Sequence, residues 1–311
     1  MMAMVAARPR RRSVAPLVER RFPLHLEPAL YSIRELYHTA KKAKWDPEKH
    51  IPWRSFDPAP YTAEQRKAAA LSWSRRAWTE YGGMPETPAI LIRICLEHNG
   101  ESDPKMFLCV RGTEEAWHVE CCYRFADVLG GYVQAPRDPA YQELFNQGFH
   151  RKAFDPAVVV DAYIAAHVAI QRGLELELYR GYLRQATDPV AVAILKRLVQ
   201  DKERHVTFGW VYLTEHAKSW SDETREEIRA EVIHAVADLE LKGYHCAWLV
   251  PDDAAREVVA ADAITRQAGL GASSVDEERA ILTQFLADAR AKFAGLGIEL
   301  PRFPAGKLGE L

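Results

Sequence analysis

The stretch LCVRGTEEAWHVECCYRFADVL, residues 108–129, decides how the chain folds. Leu108, Glu115, Cys122 and Leu129 recur in it every seven residues, two helical turns apart. One helix face therefore carries apolar groups interrupted by a carboxylate. His118 stands one turn beyond Glu115 on nearly the same face. The spacing predicts a long helix over 104–130, opened by Asp103-Pro104, with ionisable groups turned toward an interior.

The same periodicity extends outward on both sides. An amphipathic helix is expected at 28–44, closed by a Trp45-Asp46-Pro47 turn. Thr62-Ala63-Glu64-Gln65 has the pattern of a helix start, with the helix running to Tyr81 and Gly82-Gly83 interrupting it before a continuation at 85–99. Beyond residue 130, a short helix is expected at 138–148 and a long one from Asp155-Pro156 to Ala186. Asp188-Pro189 is a stop and restart, with Asp as N-cap and Pro at the first helical position. Further helices are expected at 189–218, from Ser221 to Leu249, and at 275–295. Strand signals are scarce. The fold class is all-α, a four-helix bundle with flanking helices. The domain plan is a flexible basic arm at 1–24, one helical domain at 25–300 with its bundle core at 62–218, and a tail at 301–311.

Each of four long helices places an ionisable group on its apolar seam. Glu80 follows Trp73 and Arg76 or Ala77. Glu115 and His118 lie on the next helix. Glu175 falls in the stripe Ile164, Val168, Gln171, Leu178 and Tyr182, whereas Glu177 falls off it. Lys202 and His205 share a face with Leu195, Leu198 and Tyr212. An unpaired buried charge costs roughly several kcal/mol, so such groups need common partners. Carboxylate and imidazole donors together suit a pair of iron or manganese ions. Glu-x-x-His also occurs at Glu35/His38 and Glu231/His234, which are expected to be surface or packing pairs.

The order Glu80, Glu115-Ala116-Trp117-His118, Glu175, then Asp201-Lys202-Glu203-Arg204-His205 resembles the ferritin-like diiron-carboxylate oxidase superfamily. That superfamily includes ribonucleotide reductase small subunits, their ligand-binding oxidase relatives and the p-aminobenzoate N-oxygenase type. The resemblance spans residues 62–218. It implies a ferritin-like bundle holding two iron ions, or manganese and iron, on Glu80, Glu115, His118, Glu175, Asp201 and His205. It also implies dioxygen as co-substrate, Glu115 and Glu175 as bridging groups, and a monooxygenase or N-oxygenase acting on a small organic molecule. A homodimer is a further family expectation.

The sequence departs from the family where the last motif has Glu, because Lys202 stands there. Lysine's ammonium has no lone pair for a metal unless it is deprotonated. Three arrangements follow. Asp201 or water could complete an asymmetric centre around Glu175 and His205. Lys202 could instead form ion pairs with Glu80, Glu115 or Glu175 in a metal-free structural or binding protein. A helix bulge could bring Glu203 into the ligand place. Cys122, four residues beyond His118, counts against a radical tyrosine there, and Tyr123 faces away. Trp78, Trp117, Phe208 and Trp210 are expected as core packing or as the wall of a substrate pocket.

A formal net charge of -2, with 41 basic and 43 acidic residues, gives no global field toward nucleic acid or a membrane. Five cysteines without a CxxC pair fit a reducing, cytoplasmic setting. With no GxGxxG fingerprint or cysteine cluster for an internal carrier, electrons are expected from an external donor.

Overall fold

The computed structural model describes residues 26–98, 101–134, 155, 157–250, 255–305 and 309–310. The expected arm at 1–24 and the short helix at 138–148 lie outside these residues. Eight longer helices carry the fold among the described residues: α1 (Tyr31–Lys42), α2 (Ala63–Glu97), α3 (Ser102–Gly130), α4 (160–185), α5 (Pro189–His216), α6 (Asp222–His234), α7 (Arg256–Gln267) and α8 (Val275–Gly295). The helix α2 packs along α3, and α4 along α5. Around this bundle, α1 lies against α3 and α5, α7 against α2, and α8 against α4. No helix among the described residues is long and apolar enough to cross a membrane.

Local chemistry accounts for most boundaries. Thr62 and Gln65 form a reciprocal capping box at the start of α2. Asp188 accepts from the backbone N–H groups of Val190 and Ala191, with Pro189 at the first position of α5. Ser221 caps α6, and Ser274 with Glu277 caps α8. Asp103 acts differently from its expected role as the opener of its own helix. Its Oδ2 accepts from Ala29 N at 2.8 Å and Leu30 N at 2.7 Å, and Arg34 pairs with its other oxygen. Asp103 thereby ties the start of α1 to α3.

Three expected boundaries need correction, and one helix was missed. Gly82-Gly83 does not interrupt α2, which runs unbroken through Pro85 and Pro88. The glycines make room for neighbours: a Cβ on Gly83 would lie 3.1 Å from Arg172 Nη2 and 3.2 Å from the Glu115 carboxylate. The helix opened by Asp155 begins only at Val160, because the Asp155 side chain bonds Ala157 N in a preceding turn. The helix from Ser221 does not reach Leu249. It turns at Gly243, whose φ of 101° suits glycine. The helix α7 was not expected at all.

Within α4, residues Ile164–Gln171 take i→i+5 bonding, closed by Arg172 N donating to His167 O. Such a bulge shifts the face that later residues present. Gly209 of α5 crosses here, where a Cβ would come within 2.8 Å of Val168 Cγ1. The short C-terminal bridge pairs Pro304–Ala305 with Gly309–Glu310.

Candidate metal centre

Every seam position singled out in the four long helices is buried, including Glu80, Glu115, His118, Glu175, Asp201, Lys202 and His205. They do not all meet at one point. Lys202 Nζ lies 2.9 Å and 3.0 Å from the two oxygens of Glu80 and 2.7 Å from Glu175 Oε2. It thus joins α2, α4 and α5 through a single ammonium. Burial works against a charged lysine, but Glu175 and Glu80 outweigh it and hold the pKa above its usual value. Burial alone would raise the pKa of both carboxylates, yet Lys202 keeps Glu80 and Glu175 below the ordinary range.

His118 Nε2 lies 3.1 Å from Asp201 Oδ2, which also accepts from Trp45 Nε1 at 2.8 Å. The other imidazole nitrogen, Nδ1, faces Glu80 Oε2 at 3.4 Å. Burial disfavours its protonation, but the bonds to Asp201 and Glu80 push its pKa up to about 9. This is the arrangement that fixes a metal-ligating histidine, with a carboxylate on one nitrogen and the other turned inward.

The other predicted residues are engaged differently. Arg111 Nε donates to Glu115 Oε1 at 3.0 Å. His205 Nε2 meets Glu114 Oε2 at 2.8 Å, and Arg204 bridges Glu114 and Asp201. Burial, then the nearby Asp201, pushes Glu114 up to about 7. His205 is held well below its usual pKa by burial and by Arg111. Glu203 is exposed and pairs with Arg180 at 2.7 Å, so no helix bulge brings it inward.

Glu86, Arg111, Glu114, Arg172 and Trp45 were absent from the expected site. Arg172 spans Glu86 at 2.9 Å and Glu175 at 3.0 Å. Arg111 and Arg172 were readable, since they precede Glu115 and Glu175 by one turn. Nothing local in the sequence points to Trp45, which reaches Asp201 across 156 residues. Glu35 and His38 are exposed, and His234 pairs with Asp238 rather than Glu231. Trp117 packs on Trp45, Phe208 on Phe107 and Trp210 on Phe293. Trp78 Nε1 bonds Val133 O. The indoles therefore pack against neighbouring elements. Beside Glu175 lies a cavity of about 20 Å³ lined by Arg76, Thr79, Tyr179, Tyr182 and His245. It has room for about one water-sized molecule.

A two-ion cofactor fits one half of this centre and not the other. Glu115 Oε2, His118 Nδ1 and Glu175 Oε1 are buried without a hydrogen-bond partner. The two carboxylate oxygens can accept, His118 Nδ1 can do so once its ring loses a proton, and Oε1 of Glu80 has only its ion-pair contact with Lys202. Glu80, Glu115 and His118 are ligand types for one ion, but Lys202 and Arg111 already donate to Glu80 and Glu115, so an ion there would have to displace those contacts. At the second position the ligand from α5 is an ammonium, and His205 is turned to Glu114. Among the described residues, the group of three such side chains whose ligand atoms lie within 4.8 Å of one another is elsewhere, at His98, Glu101 and His216.

No protein-family model and no curated protein sequence matches the chain. Solved structures do. It is similar to an R2-like ligand-binding oxidase with an aerobically reconstituted metal cofactor after photoconversion, at a TM-score of 0.64 and 18% identity, covering 84% of this chain and 92% of that one. It is also similar to the same kind of oxidase with an aerobically reconstituted Mn/Fe cofactor, at a TM-score of 0.62 and 18% identity, covering 83% and 91%. The chain has their ferritin-like helical fold.

Proposed function

We propose that this chain is an oxidase-type ferritin-like protein whose centre combines one bound metal ion with the fixed ammonium of Lys202. The observation that carries this is the buried set Glu80, Glu115 and His118, in which Glu115 Oε2 and His118 Nδ1 lack a hydrogen bond, beside a lysine already clamped between Glu80 and Glu175. Glu80, Glu115 and His118 would hold the ion, iron or manganese by donor type. Bound there, it would supply redox chemistry toward dioxygen, with electrons from an external donor.

The chain's own groups do the rest. Asp201, anchored by Trp45 and Arg204, orients the His118 ring. Lys202 holds positive charge where a second ion would otherwise be needed, and its ammonium can donate a proton toward the interior. Gly83 makes room for the Glu115 carboxylate where it stands. The small cavity admits one or two heavy atoms, so monooxygenation or N-oxygenation of a small organic molecule would require α2 and α4 to part beside Glu175.

A metal-free binding protein is the second reading. It is favoured by Arg111, which pairs with Glu115 through Nε and leaves Nη1 and Nη2 buried as donors without acceptors, a poor neighbour for a cation. Anaerobic loading with iron(II) or manganese(II), followed by elemental analysis, decides between them. In His216→Ala, which disables the separate His98, Glu101 and His216 group, one equivalent that Glu80→Gln and His118→Gln abolish is the expected result, with a second gained on adding Lys202→Glu. Two equivalents in that variant would overturn the proposal, and none would leave the binding protein.

A further inference from the structure

At the far end of the bundle, a second set of ligand-type side chains converges. His98 closes α2, Glu101 precedes α3, and His216 ends α5. Their ligand atoms all lie within 4.8 Å of one another. On α5, His216 stands about 16 Å along the axis from His205, so this cluster is separate from the centre described above.

We propose that His98, Glu101 and His216 form a site for a divalent transition metal of the zinc type. His216 Nε2 lies 3.4 Å from Glu101 Oε1. That is long for a strong hydrogen bond, but it matches the ~3.3 Å edge of a tetrahedron with metal–ligand bonds of about 2.0–2.1 Å. The His98 and His216 rings meet edge to face, with centroids 4.8 Å apart and planes at 87°. Two imidazoles and a carboxylate, with water in the fourth place, make a donor set that zinc accepts.

Two further observations point to a ligand. Glu101 Oε2 is buried without a hydrogen-bond partner. An ion pair between His216 and Glu101 alone would leave that oxygen and the approach of His98 unexplained. The far nitrogen of His216, Nδ1, faces Asp161 Oδ1 at 3.4 Å, and Trp220 Nε1 donates to that oxygen at 3.2 Å. Tyr212 stacks on the His216 ring at 4.0 Å. A carboxylate behind the imidazole and a ring held by stacking orient Nε2 toward the cluster. A metal here would join the α2–α3 connection to the end of α5.

The test is titration of the full chain with zinc chloride by calorimetry and with cobalt(II) by visible absorption. In Glu80→Gln, whose central site is disabled, one equivalent is expected, with the intense cobalt bands of a tetrahedral N/O site. In that background, affinity should fall at least tenfold on adding His98→Ala, His216→Ala or Glu101→Gln. Thermal unfolding should rise with zinc in Glu80→Gln and not once His98→Ala is added to it. Cobalt bands that persist unchanged in the His98 and His216 variants, or that never form in Glu80→Gln itself, would overturn the proposal.

Discussion

Two regions of this molecule bury glutamates and treat them in opposite ways. In the central layer, Glu80 and Glu175 sit against Lys202 and are held ionised below the ordinary carboxylate range. Between α4 and α8, Glu278 is just as deeply buried, but its bonds come from Tyr182 OH and Trp248 Nε1, each at 3.0 Å. Burial, then the neighbouring Asp262, pushes Glu278 up to about 7. Desolvation is common to both places. The charge state follows the partner: a cation keeps the carboxylate charged, and neutral donors leave it ready to take a proton.

The largest expected effect comes from removing the central cation. Lys202→Met leaves Glu80 without its ammonium and Glu175 with Arg172 and the more distant His245, which should cost about 3–5 kcal/mol, as for breaking a buried pair. Urea unfolding measures it. A loss below about 1 kcal/mol would mean that Arg172 and His118 suffice, and the contrast between the two regions would break.

A smaller effect belongs to Glu278. Its folded pKa lies above the unfolded value near 4.5, so the native state holds the proton more tightly. Stability should therefore fall as pH rises from about 4.5 through 7, by on the order of 1–3 kcal/mol, and this component should be flat above that window. Glu278→Gln, which keeps an acceptor for Tyr182 or Trp248, should flatten that slope. Urea midpoints at several pH values check it, and an unchanged slope in the variant would count against the assignment.

The smallest expected change sharpens the central region alone. Trp45→Phe keeps an aromatic ring against Trp117 but removes the donor to Asp201. A loss of about 1–2 kcal/mol is expected for a bond to a charged group. The His118 ring should also become less ordered, visible as broadening of its imidazole resonances in nuclear magnetic resonance spectra.

The helical seams were legible because burial imposes a 3.6-residue period on residue type, and caps such as Thr62 and Asp188 mark their own positions. Gly82-Gly83 misled for a related reason: glycine signals a break locally, whereas here it yields space to Arg172 and Glu115 from other helices. The bulge at Ile164–Gln171 left no local mark either, since i→i+5 bonding depends on how α5 crosses at Gly209.

By itself, the order of residues determined that this chain would be helical, which faces would turn inward, and that several of those faces carry charge. Only the tertiary structure decided which charges meet. Glu114 rather than Glu115 takes His205, Lys202 joins Glu80 to Glu175, and Trp45 reaches Asp201. The physical reason is range. Periodicity follows from one helix and its burial, whereas an ion pair is settled within about 3 Å between side chains on different helices, where a turn of register or a single bulge changes the partner.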